Sequence, residues 1–161
     1  KFDWVICDSP AGIERGATLA MRYADEAIVV TNPEVSSVRD ADRIIGMLDS
    51  KTVKAEAGEQ MKKHVLITRY DTGREARGEM LSIDDILEIL AIPLLGIIPE
   101  RQDVLKASNV GSPVTLNDAA SLPARAYTDA ARRLNGETIA MMVPTEQRRR
   151  FMDRLLGRRA A

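Results

Sequence analysis

Short apolar runs alternate along the chain with longer segments of helical periodicity. Four runs read as strands, at residues 4–7, 27–31, 65–68 and 94–98. Buried parallel strands are nearly continuous in apolar residues, and helices between successive strands form right-handed crossovers. The pattern therefore predicts an α/β fold with a doubly wound, mostly parallel sheet.

Apolar residues at helical spacing predict helices over residues 16–24, 36–50, 83–90, 102–108 and 122–134. Ser36 or Ser37 is the expected N-cap of the second helix, and Ser82 caps the third. The polar stretch 51–63 is predicted to be an exposed connection. Residues 71–79 are predicted to form a loop or short helix near the ligand-binding end of the sheet.

Composition narrows the class of protein. The length of 161 residues suits one domain, and the hydrophobic and charged fractions of 45% and 29% are typical of soluble globular proteins. No apolar run approaches the ~20 residues of a membrane-spanning helix, and no signal peptide opens the sequence. One cysteine and one histidine exclude an internal disulfide and the usual zinc sites. We expect Cys7 to be a buried, inert thiol, His64 to be solvated or satisfied, and the setting to be cytosolic.

A turn of small residues follows the first apolar run. Asp8 ends the run, and Ser-Pro-Ala-Gly comes next. Open α/β sheets bind ligands at the carboxyl ends of their strands. In P-loop nucleotide hydrolases an Asp in such a position holds Mg²⁺, while a nearby Gly amide meets a γ-phosphate. The turn also fits an ordinary strand-to-loop connection in which Asp8 caps the next helix, and the residues alone leave both interpretations open.

The sequence contains no G-x-x-x-x-G-K-[ST] loop for cradling phosphates. It also begins at Lys1 and enters an apolar run without a preceding cap. We expect that sequence upstream of Lys1 is missing, and that the 161-residue polypeptide alone binds ATP negligibly.

The last sixteen residues differ in charge from the rest of the chain. Residues 146–161 hold six arginines against two acids, a net charge of +4, whereas the remainder holds 17 basic and 22 acidic residues. At 100° per residue, four apolar side chains fall within an arc of about 140°. These are Phe151, Met152, Leu155 and Leu156, with Arg149, Arg150 and Arg154 beside or opposite the arc. A basic amphipathic segment predicts a membrane-surface helix, and a helix docked on the domain's own core is the alternative.

Several motifs together resemble one family. They are the turn at residues 8–14, the run Thr-Asn-Pro-Glu-Val-Ser-Ser-Val-Arg-Asp at residues 31–40, the pair Arg69-Tyr70, Gly-Ile-Ile-Pro-Glu at residues 96–100, and the terminal amphipathic segment. The chain resembles the MinD family of septum site-determining ATPases, within the deviant-Walker ParA/MinD group of P-loop ATPases. The resemblance covers essentially the whole chain, which looks like the C-terminal three-fifths of such a protein.

The resemblance implies ATP and Mg²⁺ as cofactors. Asp8 would hold Mg²⁺ through water, and Gly12 would sense the γ-phosphate, so both belong to the catalytic switch. The nucleotide base would be framed by Arg69, Pro99, Glu100 and Asp103. Arg39, Asp40 and Asp42 would receive a partner, although a solvated helix face explains the same three residues.

The family resemblance also implies the biology. We expect an ATPase that binds the inner face of the bacterial membrane reversibly and regulates septum placement. Its partners would be a second copy in the ATP-bound state, a MinE-like activator, a MinC-like division inhibitor and anionic lipids, with no nucleic acid. Residues 1–136 would form the ATPase part, 137–145 a linker and 146–161 the membrane segment. A ParA-type DNA-partitioning ATPase and a non-enzymatic α/β interaction module are the alternatives.

Overall fold

The computed structural model describes residues 1–9 and 15–143. The elements in chain order are α1 (Arg15–Arg22), β1 (Glu26–Thr31), α2 (Val35–Leu48), α3 (Val53–Glu56), β2 (Lys62–Tyr70), α4 (Thr72–Ala76), α5 (Ile83–Leu90), β3 (Leu94–Pro99), α6 (Gln102–Asn109), α7 (Val114–Asn117) and α8 (Leu122–Leu134). None of the described helices is both long enough and apolar enough to span a bilayer.

The three strands form one parallel sheet in the order β1-β2-β3. Val29 of β1 lies opposite Val65 of β2, and Ile67 of β2 lies opposite Ile97 of β3. Each pair of consecutive strands is joined through helices, which parallel neighbours require. The predicted α/β class is confirmed, and three of the four apolar runs are strands.

The first apolar run is not a strand, so this prediction was wrong. The side chains of Trp4, Val5 and Ile6 are 52%, 75% and 89% exposed. A strand exists only through hydrogen bonds to a neighbouring strand, and in the described residues the run pairs with none of the three. Cys7 is consequently exposed and not buried as predicted.

The main core lies between one face of the sheet and two helices. Helix α2 buries Val38, Ala41, Ile45 and Leu48. Its apolar periodicity predicted Val38, Ile44, Ile45 and Leu48, of which Ile44 is only half-buried. Helix α5 adds Ile86 and Leu90, and the sheet contributes Val65 and Ile67, both fully buried. This packing fixes the strand ends on which the candidate site is built.

The opposite face of the sheet is covered unevenly. Helix α8 packs on β3, and a Cβ on Gly96 would lie 3.1 Å from the Ala130 Cβ. The missing side chain at Gly96 therefore lets helix and strand approach closely. At the other end of this face, Ile28 and Val30 of β1 are 42% and 59% exposed.

Helix α2 starts earlier than its serines predicted. Glu34 is the N-cap, in an extended conformation, and its carbonyl accepts from the Val38 amide at 2.9 Å. The Pro33 just before it is fully buried, and its carbonyl accepts from the Leu81 amide. The chain direction is thus set by tertiary contacts at Pro33, and the expected N-cap role of Ser36 or Ser37 was wrong.

Local hydrogen bonds also shape the connections. Ser82 forms the predicted capping box of α5 with Asp85. Thr52, placed by sequence in an exposed connection, is only 1% exposed. Its hydroxyl donates to the Leu48 carbonyl and accepts from the Ala55 amide, which ends α2 and starts α3. The stretch 51–63 is therefore not exposed throughout.

Candidate functional site

The carboxyl ends of the three strands meet at one edge of the sheet. They bring together Thr31 and Asn32 at the end of β1, the segment Thr68-Arg69-Tyr70 at the end of β2, and Pro99 with Glu100 at the end of β3. Ligands of open α/β sheets bind outside this edge. We call these residues the ligand edge.

An ion-pair network joins the ends of β2 and β3. The Nε and Nη2 atoms of Arg69 donate to Oε1 of Glu100 at 3.2 and 2.9 Å. The Nη1 atom of Arg74 lies 3.5 Å from Oε2 of the same carboxylate. The backbone reinforces the connection, since the Glu100 amide donates to the Tyr70 carbonyl at 2.9 Å. One carboxylate is thus held by two guanidinium groups.

Arg69 has a left-handed backbone conformation, with φ of 57°. For a residue with a side chain this conformation costs about 1–2 kcal/mol. Such conformations persist where the surroundings hold them, often at functional sites. The Glu100 carboxylate accepts hydrogen bonds from the Arg69 guanidinium, and these raise the already high pKa of that group.

Tyr70 and Asp71 fix the position of the ion-pair network. Tyr70 is 1% exposed, and burial, followed by hydrogen bonding to Glu75, raises the pKa of its phenol. Asp71 caps α4 by accepting from the amides of Gly73 and Arg74 at 2.8 and 3.0 Å. The buried ring holds the end of β2 against the core, and the cap aims the helix that carries Arg74.

A second polar contact joins β1 and β2 at the same edge. The Thr68 hydroxyl donates to Oδ1 of Asn32 at 2.9 Å. Both side chains are half-buried. The contact satisfies the Thr68 hydroxyl within the protein and holds the loop after β1 beside the end of β2.

The predicted site residues fall into separate places. Arg69, Pro99 and Glu100 meet at the ligand edge, and Asp103 is exposed in the first turn of α6. Asp8 is exposed in a segment that is not a strand. Arg39, Asp40 and Asp42 are exposed on α2, where Asp40 lies 3.6 Å from Arg43. Gly12 lies outside the described residues, as do Arg149, Arg150, Phe151, Met152, Arg154, Leu155 and Leu156.

Two residues that form contacts at the ligand edge, Arg74 and Asn32, were not predicted from sequence. Arg74 lies in the stretch predicted as a loop or short helix near the ligand end, so its charge next to a strand end was the available signal. Asn32 follows β1 directly, which is the same signal on the neighbouring strand. Their partners, Glu100 and Thr68, are more than twenty-five positions away in sequence, and only the parallel register brings them together.

The described residues offer no preformed metal cage. Within residues 1–9 and 15–143, no group of three or more acidic, His or Cys side chains is arranged to hold a metal ion. A magnesium ion in a nucleotide site needs only one or two protein carboxylates, because phosphates and water supply its other oxygen ligands. A single exposed Asp8 fits that kind of donor set.

Comparisons with known proteins agree with this architecture. No protein-family model matches the chain. The septum site-determining protein MinD of Neisseria meningitidis is 56% identical over 156 residues, which are 97% of this chain and 57% of the relative. The chain therefore spans a little over half the length of such relatives.

Solved structures of relatives share the fold. MinD in a MinC:MinD cell division complex from Aquifex aeolicus has a TM-score of 0.78 and 40% identity, covering 89% of this chain and 56% of that one. MinD with Mg-ADP from Pyrococcus horikoshii has a TM-score of 0.65 and 28% identity, covering 79% and 48%. The fold and these similarities define an α/β protein of the ParA/MinD class. Within that class, the sequence identity identifies the chain as a segment of the MinD family.

Proposed function

We propose that this chain is part of an ATP-dependent ATPase that binds membranes reversibly and regulates the site of cell division. The observation that carries the proposal is the ligand edge, with Arg69 held by Glu100 at adjoining strand ends, in a chain 56% identical to a septum site-determining protein. The phosphate-binding loop that such an ATPase needs would come from outside these 161 residues.

The nucleotide base would lie at the ligand edge. Arg69 is 61% exposed at its side chain while both of its donating nitrogens are engaged by Glu100. That arrangement leaves the flat face of the guanidinium to stack on an aromatic ring. Pro99 and Asp103 lie on either side of Glu100 in the sequence. The Pyrococcus relative is complexed with Mg-ADP, which supports nucleotide binding by the whole protein.

Asp8 would hold Mg²⁺ through water, and Gly12 would bind the γ-phosphate through its amide. Mg²⁺ would supply charge neutralisation at the phosphates. The contribution of this chain would be to place one carboxylate near the metal and to change the conformation of residues 8–14 when the γ-phosphate is lost. Asp8 has the solvent access that a water-mediated ligand requires.

Partners would bind exposed surfaces. Arg39, Asp40 and Asp42 are exposed on α2 and would receive a MinE-like activator across an ATP-bound dimer. The single exposed ion pair of Asp40 with Arg43 is worth little and would yield readily to a partner's charges. A MinC-like inhibitor is supported by the complex formed by the Aquifex relative.

The terminal segment 146–161 would attach the protein to anionic lipids on the inner face of the cell membrane. Each arginine near an anionic surface contributes on the order of 1 kcal/mol, and the apolar arc adds a few more. Attachment by one segment would be weak. Two segments held in a dimer would bind far more tightly, because the second insertion is effectively intramolecular.

Vesicle sedimentation tests the proposal. The whole protein that contains this chain is mixed with anionic vesicles in ATP or ADP, and it should sediment in ATP only. Deleting residues 151–156 should abolish sedimentation and leave basal hydrolysis intact, whereas Arg125→Ala, which removes an exposed arginine from α8, should change neither. Unchanged sedimentation of the deletion variant refutes the anchor. Retention on DNA in place of vesicles would favour a partitioning ATPase.

A further inference from the structure

Arg133, at the end of α8, binds three backbone carbonyls with one guanidinium. Nη1 donates to Leu95 of β3 at 2.8 Å, Nε to Ile139 at 3.0 Å and Nη2 to Ala140 at 2.9 Å. Two acceptors belong to the stretch that follows α8, and the third belongs to the sheet. One side chain therefore ties the chain after α8 back to β3.

The tied stretch is also packed. Met141 contacts the main core cluster, and Met141 and Met142 share a small pocket with Ile97 and Ala126. The close approach of α8 to β3 at Gly96 brings the guanidinium within reach of the Leu95 carbonyl, since a Cβ there would lie 3.7 Å from Nη1. Packing and hydrogen bonding thus hold the same few residues.

We propose that Arg133 is a positioning residue that clamps residues 139–142 to the sheet and sets where the carboxy-terminal segment leaves the domain. From Ala140 to Glu146 the chain reaches at most about 20 Å, whereas from Gly136 it would reach about 35 Å. The clamp therefore shortens the tether to the terminal segment. The role of that tether in membrane attachment rests on the proposed function, but the clamp itself does not.

Limited proteolysis with thermolysin tests the clamp, because this protease cuts before apolar residues and Met141, Met142 and Val143 follow one another. In Arg133→Ala the cleavage rate at residues 141–143 should rise at least about tenfold, which corresponds to ~1.4 kcal/mol. Arg133→Lys should be cleaved at an intermediate rate, because one ammonium cannot meet three carbonyls in the guanidinium's planar geometry. Arg125→Ala removes the same charge from an exposed position on α8 and should be cleaved like the wild type.

Mapping the cut sites separates loss of the clamp from loss of the fold. A released clamp adds cuts only after Gly136, whereas an unfolded chain is also cut in β2. If Arg133→Ala unfolds, Arg133→Met, which keeps the aliphatic stem, replaces it. Cleavage at residues 141–143 that is no faster than wild type in a folded variant overturns the proposal. The assay contains no membrane or nucleotide, so its result is independent of vesicle sedimentation.

Discussion

Arg69 and Glu100 lie thirty-one positions apart, yet two nitrogens of the arginine donate to a single oxygen of the glutamate. The contact joins the carboxyl ends of neighbouring parallel strands. It coincides with a left-handed backbone at Arg69, so an unfavourable main-chain conformation and an ion pair occur in the same residue. The two contributions to stability can be separated by substitution.

We expect Arg69→Gly to be more stable than Arg69→Ala by about 1 kcal/mol. Both variants lose the ion pair, but only glycine adopts a φ of 57° without steric cost. Urea unfolding of the two purified variants measures the difference. Equal stabilities would mean that the left-handed conformation carries no strain.

Gly96→Ala should destabilise the fold by about 1–3 kcal/mol, because the added methyl group would meet Ala130 and Leu66 at 3.1 and 3.2 Å. Gly46, in the last turn of α2, has nothing within 4 Å of an added Cβ. Gly46→Ala is therefore the matched control and should stabilise by about 0.5–1 kcal/mol. Thermal unfolding measures both, and a stable Gly96→Ala variant would contradict the tight packing of α8 on β3.

Ser82→Ala should destabilise α5 by about 1 kcal/mol at neutral pH, because the cap is lost. Hydrogen bonds from Ser82 hold the pKa of Asp85 below its ordinary value of 3.8. A lowered folded pKa gives stability that is present above pH 3.8 and is lost as pH falls through the folded pKa.

Urea unfolding between pH 6 and pH 2 tests this linkage. The difference between wild type and Ser82→Ala should shrink on the acid side, because the wild type alone loses the contribution of the ionised Asp85. Ser108→Ala, on the exposed side of α6, should show no such trend. A pH-independent difference would show that the carboxylate contributes nothing to the cap.

The 161-residue chain alone should give no measurable ATP binding in calorimetry. It contains no glycine-rich phosphate loop, and the ligand edge offers only contacts to the base. Circular dichroism of the same sample checks that the chain is folded. Tight binding by the folded chain would overturn the assignment of the phosphate site to residues outside it.

Asp40→Ala should lower activator-stimulated ATP turnover of the whole protein and leave vesicle recruitment unchanged. The side chain is exposed on α2 and makes one weak ion pair, so its removal should not affect folding. Turnover is measured with and without the activator, and Glu88→Ala, which removes an exposed acid from α5, is the control. A normal stimulated rate would remove Asp40 from the partner surface.

The spacing of apolar residues was sufficient to predict the helices α2 and α5, because helical periodicity is a local property of the sequence. Helix α2 buries three of its four predicted positions, Val38, Ile45 and Leu48, and α5 has its predicted limits and cap. The run at residues 4–7 shows the limit of the method. Its composition indicates a preference for burial, but a strand also needs a partner edge, and hydrophobicity contains no information about partners.

The candidate site was predictable in part. The family resemblance grouped Arg69, Pro99 and Glu100, and the structure places all three at the ends of neighbouring strands. The contribution of Arg74 depends on the Asp71 cap, and the Thr68–Asn32 contact depends on strand register. The Arg133 clamp depends on three carbonyls, which no side-chain pattern records.

Strand β1 pairs with only β2 among the described strands, and Ile28 and Val30 stand exposed on its open face. An unpaired strand edge beside exposed apolar side chains is a template for another strand. For work with the isolated chain, protein concentration therefore becomes an experimental variable in its own right. Self-association through β1 would pair the backbone groups that the described strands leave without a partner.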